Sequence, residues 1–298
     1  MEIRIYIGGH QATMQHFVDT LEANKNALAA AKTAFITPHD TTYSDIFKAS
    51  KAIRKNGNPH FIQQEFLQKY TSTQDIEKLI FIDNRIIGSD HRMFEKELFY
   101  PKPGGFIKQI QVLFENFPTH LYIETRDIAS LLPANYYNRV FNNTPDSFEA
   151  FLTKLNLEDL RWSSFIDRAQ GRNDAAVPIT AWRYEDYPYI WRDIAGAITG
   201  IPKFQDFTGP PEKPDLDVNL NVALLFYKYT QKYPVKSQDE FDTLKTLFLE
   251  RDLSASNIVG NPHWTPEIIQ GLTHSYEDDW YYIERMEDVK VIQPRVFN

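Results

Sequence analysis

The residues best placed to do chemistry stand within the first fifteen positions. Ile3-Arg4-Ile5-Tyr6-Ile7 runs directly into Gly8-Gly9-His10-Gln11-Ala12-Thr13-Met14. The β-branched Ile3, Ile5 and Ile7 predict a short buried strand. Gly8 and Gly9 are expected to end it in a tight turn with positive φ. The run from about Thr13 to Lys32, rich in Ala, Leu, Gln and Glu, reads as a helix. Strand, glycine turn and helix together aim free backbone N–H groups and the positive end of a helix dipole at one spot. An anion, usually a phosphate, binds well there. The turn lacks the Lys and Ser/Thr of a GxxxxGK[ST] loop, so an ordinary first βα connection is the alternative reading.

Three later segments carry further polar groups at the ends of apolar runs: Asp83 to Gly88, Arg126-Asp127, and Tyr184-Glu185-Asp186. The elements that must position them alternate. Strands are expected at 34–38, 79–83, 120–124 and 177–183, with a last short one at 289–292. Helices are expected at 106–116, from about 128 with a kink at Pro133, at 147–155 and 157–167, at about 218–232 and 237–250, and from Thr265-Pro266 to about Met286. The proline-rich residues 203 to 217 read as a linker or surface loop. Such alternation implies one α/β domain over 1–298, a central parallel sheet flanked by helices, with helical insertions at about 39–75 and 203–250. Ligands in these folds bind outside the carboxyl ends of the strands. All four segments should meet along that edge.

Composition narrows the classes. The chain has 298 residues, a net charge of −8 and no cysteine. The acidic balance argues against broad binding to nucleic acid or an anionic membrane. Without cysteine there is no disulfide, thiolate nucleophile or Cys–zinc site. The eight His show no metal spacing and no GxSxG elbow appears, so no metal and no hydrolase triad are expected. No stretch approaches the ~18 apolar residues of a membrane span, and the first strand is unlike a secretory signal. The cytoplasm is the default expectation.

Taken in order, the four segments resemble the sulfotransferase superfamily, above all bacterial members with a G-A-H-K-T-[GA]-T-T loop. Gly8 to Gln15 takes that loop's place. Leu21 to Leu28 is similar to an "L..N...L" helix, and Asp83-Asn84-Arg85-Ile86-Ile87-Gly88 to an S-D-E-N-L-L-G segment. Tyr122 to Asp127 is similar to a strand ending in Arg-Asp, Trp182 to Asp186 to W-x-Y-E-D, and Thr265 to Pro294 to an "SPE…Y..D" terminus. The likeness covers most of the chain, least at 39–75 and 203–250. It implies a P-loop-type fold and transfer of a sulfuryl group from 3′-phosphoadenylyl sulfate (PAPS) to a hydroxyl of a carbohydrate or small molecule. It also implies roles by position. Gly8, Gly9, His10, Gln11, Ala12, Thr13 and Met14 would hold the 5′-phosphosulfate. Arg126 would contact the 3′-phosphate, with Ser130 or Asn135 standing in for the hydroxyl that the pattern has at Ala134, and Tyr184 would lie near the adenine. Asp83 would be base or orienter for the acceptor. As replacements for the loop's usual groups, a protonated His10 would offset charge beside the loop and Gln11 would donate a hydrogen bond.

The chain departs from that pattern where chemistry depends on it. The loop Lys is Gln11, Thr13 is the one hydroxyl left in the loop, the Ser eight residues after Arg126 is Ala134, and the Glu of the D-E-N segment is Asn84. Losing two hydrogen bonds to a charged ligand weakens binding by roughly 3–6 kcal/mol, or ~10²–10⁴-fold. The alternative is therefore a catalytically inactive protein of this fold that binds a nucleotide, glycan or protein partner. Each residue also has a bland reading. Arg126 would pair with a carboxylate, Asp83 would cap a turn, and Tyr184 and the aromatic run Trp182 to Trp191 would be packing.

Overall fold

The computed structural model describes residues 1–9, 13–37, 42–71, 75–87, 93–95, 98–101, 104–142, 146–170, 177–202, 208–209, 220–250 and 262–295. In chain order the strands are β1 (Glu2–Gly8), β2 (Thr33–Ile36), β3 (Lys78–Ile82), the short antiparallel pair β4 (Phe94–Glu95) and β5 (Leu98–Phe99), β6 (Thr119–Thr125), β7 (Ile179–Arg183) and β8 (Val289–Val291). The helices are α1 (Met14–Ala23), α2 (Lys25–Ala30), α3 (Thr42–Arg54), α4 (Pro59–Tyr70), α5 (Gly104–Leu113), α6 (Ile128–Phe141), α7 (Phe148–Leu152), α8 (Trp162–Gln170), α9 (Tyr187–Thr199), α10 (Leu220–Lys232), α11 (Gln238–Leu249) and α12 (Pro266–Ile283).

Six strands form one all-parallel sheet in the order β2-β3-β1-β6-β7-β8. Alternation along β1 splits the core. Ile3, Ile5 and Ile7 face the larger apolar cluster, which takes in α5, α6, α8, α10 and α12. Tyr6 faces the smaller one, built from α1 and α9. Helices therefore cover both faces, as parallel strands buried on two sides require. The connection after β1 runs to one side of the sheet and that after β6 to the other. The carboxyl ends of β1 and β6 thus flank a topological switch point, the usual ligand crevice of an open α/β sheet.

Local chemistry explains where the elements start and stop. α12 begins as expected: Thr265 accepts from the Ile268 N–H (3.4 Å) and Pro266 fills the first position. α6 is capped by Asp127, which accepts from the Ala129 N–H (2.9 Å), and runs on through Pro133. The single helix expected over 13–32 is instead two. Asn24 breaks it by donating to the carbonyls of Thr20 (2.7 Å) and Thr208 (2.6 Å), and its side chain competes with the helical backbone. The helix expected at 157–167 is a 3₁₀ turn at Leu157–Asp159 followed by α8. Positive φ at the glycine turn is also corrected. Gly8 ends β1 in extended backbone, and among the described glycines only Gly200 has positive φ.

Candidate functional site

At the switch point Gly8 lies opposite Glu124 in the β1–β6 register, and the Gly9 N–H continues the pairing to the Glu124 carbonyl (3.4 Å). A Cβ on Gly9 would stand 3.0 Å from Trp162 Cη2. Glycine is needed here for close approach, not for a special φ. Trp162, the first residue of α8, is fixed in turn by donating its indole N–H to the Arg126 carbonyl (2.8 Å). His10, Gln11 and Ala12 lie outside the described residues, as does Gly88. Thr13 and Met14 are buried, and Met14 opens α1.

The spot where the strand and helix would cradle an anion holds a side chain of the chain itself. Glu124, the sixth residue of β6, is fully buried. Its carboxylate accepts the Thr13 backbone N–H (3.2 Å), the Thr13 hydroxyl (2.7 Å) and the Tyr6 hydroxyl. Thr13 makes no side-chain cap to α1, because its hydroxyl is spent on Glu124. Burial raises the Glu124 carboxyl to about 7; the three hydrogen bonds offset part of that, and the neighbouring Glu185 adds to it. The polar chain extends outward. The Tyr187 hydroxyl lies 2.9 Å from His16 Nδ1, and burial lowers the pKa of that imidazole. Burial, then the nearby Glu124 charge, keeps the Tyr6 and Tyr187 hydroxyls protonated.

A second group lies at the end of β6. Arg126 is buried, its Nε donates to the Ser130 hydroxyl (2.9 Å), and its guanidinium lies 4.2 Å from the centre of the half-buried Tyr184 ring. Arg126 therefore touches both of the other residues expected at the nucleotide end. Asp127 is bonded into the frame: Thr273 donates to it (2.7 Å), and its own N–H donates to Glu185 (2.9 Å). Tyr276 of α12 donates to Glu185 (3.2 Å) and shares a hydrogen bond with Thr125 (2.9 Å). Desolvation raises the Glu185 pKa. Arg183 is paired with Glu277 (2.6 Å).

Asp83 stands at the end of β3, next to β1. Its carboxylate accepts from the Arg85 N–H (2.8 Å) and pairs with the Arg85 guanidinium (2.6 Å). The aromatic run is mostly core: Trp182 and Tyr187 are fully buried, while Tyr189 projects. Among the described residues no group of His, Asp and Glu is placed to hold a metal, and no helix is long and apolar enough to cross a membrane. Glu124, Tyr6, Trp162 and Tyr276 were missed as members of this edge. A signal for Glu124 existed. It shares a strand face with Tyr122 in an apolar run, where a carboxylate needs donors. No protein-family model matches the chain, and no curated protein matches its sequence.

Proposed function

We propose that the chain is a sulfotransferase-type protein that binds an adenosine 3′,5′-bisphosphate-class nucleotide but does not transfer a sulfuryl group. One observation carries the reading. The Glu124 carboxylate takes the Thr13 N–H and hydroxyl, the donors that a 5′-phosphosulfate would need. With Gln11 in place of the loop Lys, a donor there meets a buried acid instead of a cation. The carboxyl, raised to about 7, can take up a proton near neutral pH at a cost under about 1 kcal/mol, so the obstacle is the Thr13 donors it already holds rather than its charge. The residues thus fit the 3′ end of PAPS, through Arg126, Ser130 and Tyr184, and do not fit its phosphosulfate end.

Calorimetric titration with adenosine 3′,5′-bisphosphate tests this. Saturable binding is expected, weakened about tenfold or more in Arg126→Ala, the loss of one charge-assisted contact. No binding at millimolar nucleotide would sink the nucleotide reading. Incubation with PAPS and a panel of saccharide and phenolic acceptors should give no sulfated product. A second reading, a PAPS-dependent transferase, draws on the same carboxylate. A buried Glu titrating near neutrality at the crevice has the acidity of a general base. Product formation that disappears in Glu124→Gln would establish that reading and overturn the first.

A further inference from the structure

The outward face of α3 is basic. Phe47, Lys48, Lys51, Arg54 and Lys55 are all exposed, at the three- and four-residue spacings that share one side of a helix. Among the described residues Lys51, Arg54 and Lys55 have no hydrogen-bond or ion-pair partner, and Lys48 stands 3.7 Å from Asp45. Asp45, the one acid of α3, is held by Lys69 and the Tyr70 hydroxyl of α4. Over 42–70, five Lys and Arg stand against Asp45 and Glu65, in a chain of net charge −8. Lys108 of α5, next to the Gln109 that accepts from Ser50 of α3, is a further exposed cation. Like charges at these spacings repel one another, and an anionic surface laid on the face relieves that repulsion. Two apolar rings accompany the cations: Phe47 is 49% exposed and Phe61, at the start of α4, 58%.

The fold sets this face apart from the acidic part of the chain. α3 and α4 form the connection from β2 to β3, and β2 is the outer strand at one edge of the sheet. The stretch from Glu267 to Asp288, with seven Asp and Glu against Arg285, leads into β8, the outer strand at the other edge. Across the six strands, spaced by about 4.8 Å, the edges lie roughly 24 Å apart. Charges are screened over about 8–10 Å in physiological salt. The molecule is thus dipolar along the sheet, and its acidic end is screened from whatever meets α3. The net charge opposes broad adsorption, so contact with an anionic partner is confined to the basic end.

We propose that this face docks peripherally on an anionic lipid bilayer, with Lys48, Lys51, Arg54 and Lys55 on headgroup phosphates and Phe47 and Phe61 in the interfacial layer. An extended charged plane orients a dipolar molecule and meets a convex helix face along its length. The two phenylalanine rings gain nothing from phosphates, but they gain from the apolar boundary beneath a headgroup layer. The docking is independent of the nucleotide reading.

The test is cosedimentation of the full chain with vesicles of equimolar phosphatidylcholine and phosphatidylglycerol, with phosphatidylcholine vesicles as the neutral comparison. Binding to the anionic vesicles is expected, and it should fall as salt is raised. At roughly fivefold per cation, Lys51→Gln/Lys55→Gln should bind at least about tenfold more weakly. Phe47→Ala/Phe61→Ala should lose a few-fold, by an amount that salt does not change, and Arg126→Ala should bind as the parent does. The substituted residues of α3 and α4 are exposed, so those variants should melt close to the parent, which circular dichroism checks. No pelleting with the anionic vesicles, equal binding to the neutral ones, or equal binding by the double lysine variant would each overturn the proposal. So would tighter binding to a single- or double-stranded oligonucleotide than to the vesicles at the same phosphate concentration, which would make the face a nucleic-acid site.

Discussion

Glu124 is the residue on which the crevice turns, and its burial makes a signed prediction. In the folded chain its carboxyl is raised from 4.5 to about 7. The folded state therefore holds that proton more tightly than the unfolded state does. Its contribution to stability is complete below about pH 4.5, falls as pH rises towards 7, and is gone above that. A shift of this size corresponds to roughly 3 kcal/mol. Glu185 and Asp186 are raised as well and add slope of the same sign, whereas His16 is lowered and opposes it. The informative quantity is thus the difference between parent and Glu124→Gln. The variant should lose part of the decline between pH 5.5 and 8 and be at least as stable as the parent at pH 8. Urea midpoints at the two pH values read this, and parallel pH profiles would refute the assignment. The amide can replace the carboxylate because the Tyr6 and Thr13 hydroxyls can rotate to accept. By contrast, Asp83 already has Arg85 as its counter-ion, two residues away.

The elements were largely legible in the sequence, for physical reasons that also mark where reading stops. The strands are apolar runs bounded by polar turns, and α12 announces itself through Thr265 and Pro266, so both are local signals. The break at Asn24 needs Thr208, 184 positions away, as its acceptor, and no local pattern carries that. The glycine turn was located correctly but its cause was not, because the reason for Gly9 is the indole of Trp162. Two predictions belong to α8. Gly9→Ala should destabilise by about 1–2 kcal/mol through overpacking. Part of that loss should be recovered in the Trp162→Phe background, which a double-mutant cycle of denaturation free energies measures. Additive losses would mean that the two residues do not press on each other. Asp279→Ala should cost about 2–4 kcal/mol. It strips both the Ser163 N–H and hydroxyl of their acceptor in a buried place, whereas Ser163→Ala removes only one of those bonds and should cost less.

At the scale of the molecule, alternating strands and helices implied a parallel sheet, but the order β2-β3-β1-β6-β7-β8 was not readable. Which strands become neighbours depends on crossings that no single segment encodes. That order places Glu124 opposite Gly8 and puts the Thr13 N–H and hydroxyl, at the start of α1, on a carboxylate of the chain itself. The last helix then ties the carboxyl edge together. Tyr276 bonds Thr125, 151 positions earlier, and Glu185, 91 positions earlier, while Glu277 pairs with Arg183 and Asp279 with Ser163. Bonds of this span couple the C-terminal third to the central strands, so the chain should unfold in one cooperative transition. Tryptophan fluorescence and far-ultraviolet circular dichroism should give coincident urea curves. Tyr276→Phe should shift both curves together by about 1–2 kcal/mol, because Thr125 keeps the Trp182 carbonyl and Glu185 keeps the Asp127 N–H. Tyr281→Ala, five residues further along the same helix and exposed, should leave both within about 0.5 kcal/mol of the parent. If Tyr276→Phe separated the two curves instead, α12 would be an autonomous unit, and the crevice would not depend on it for its shape.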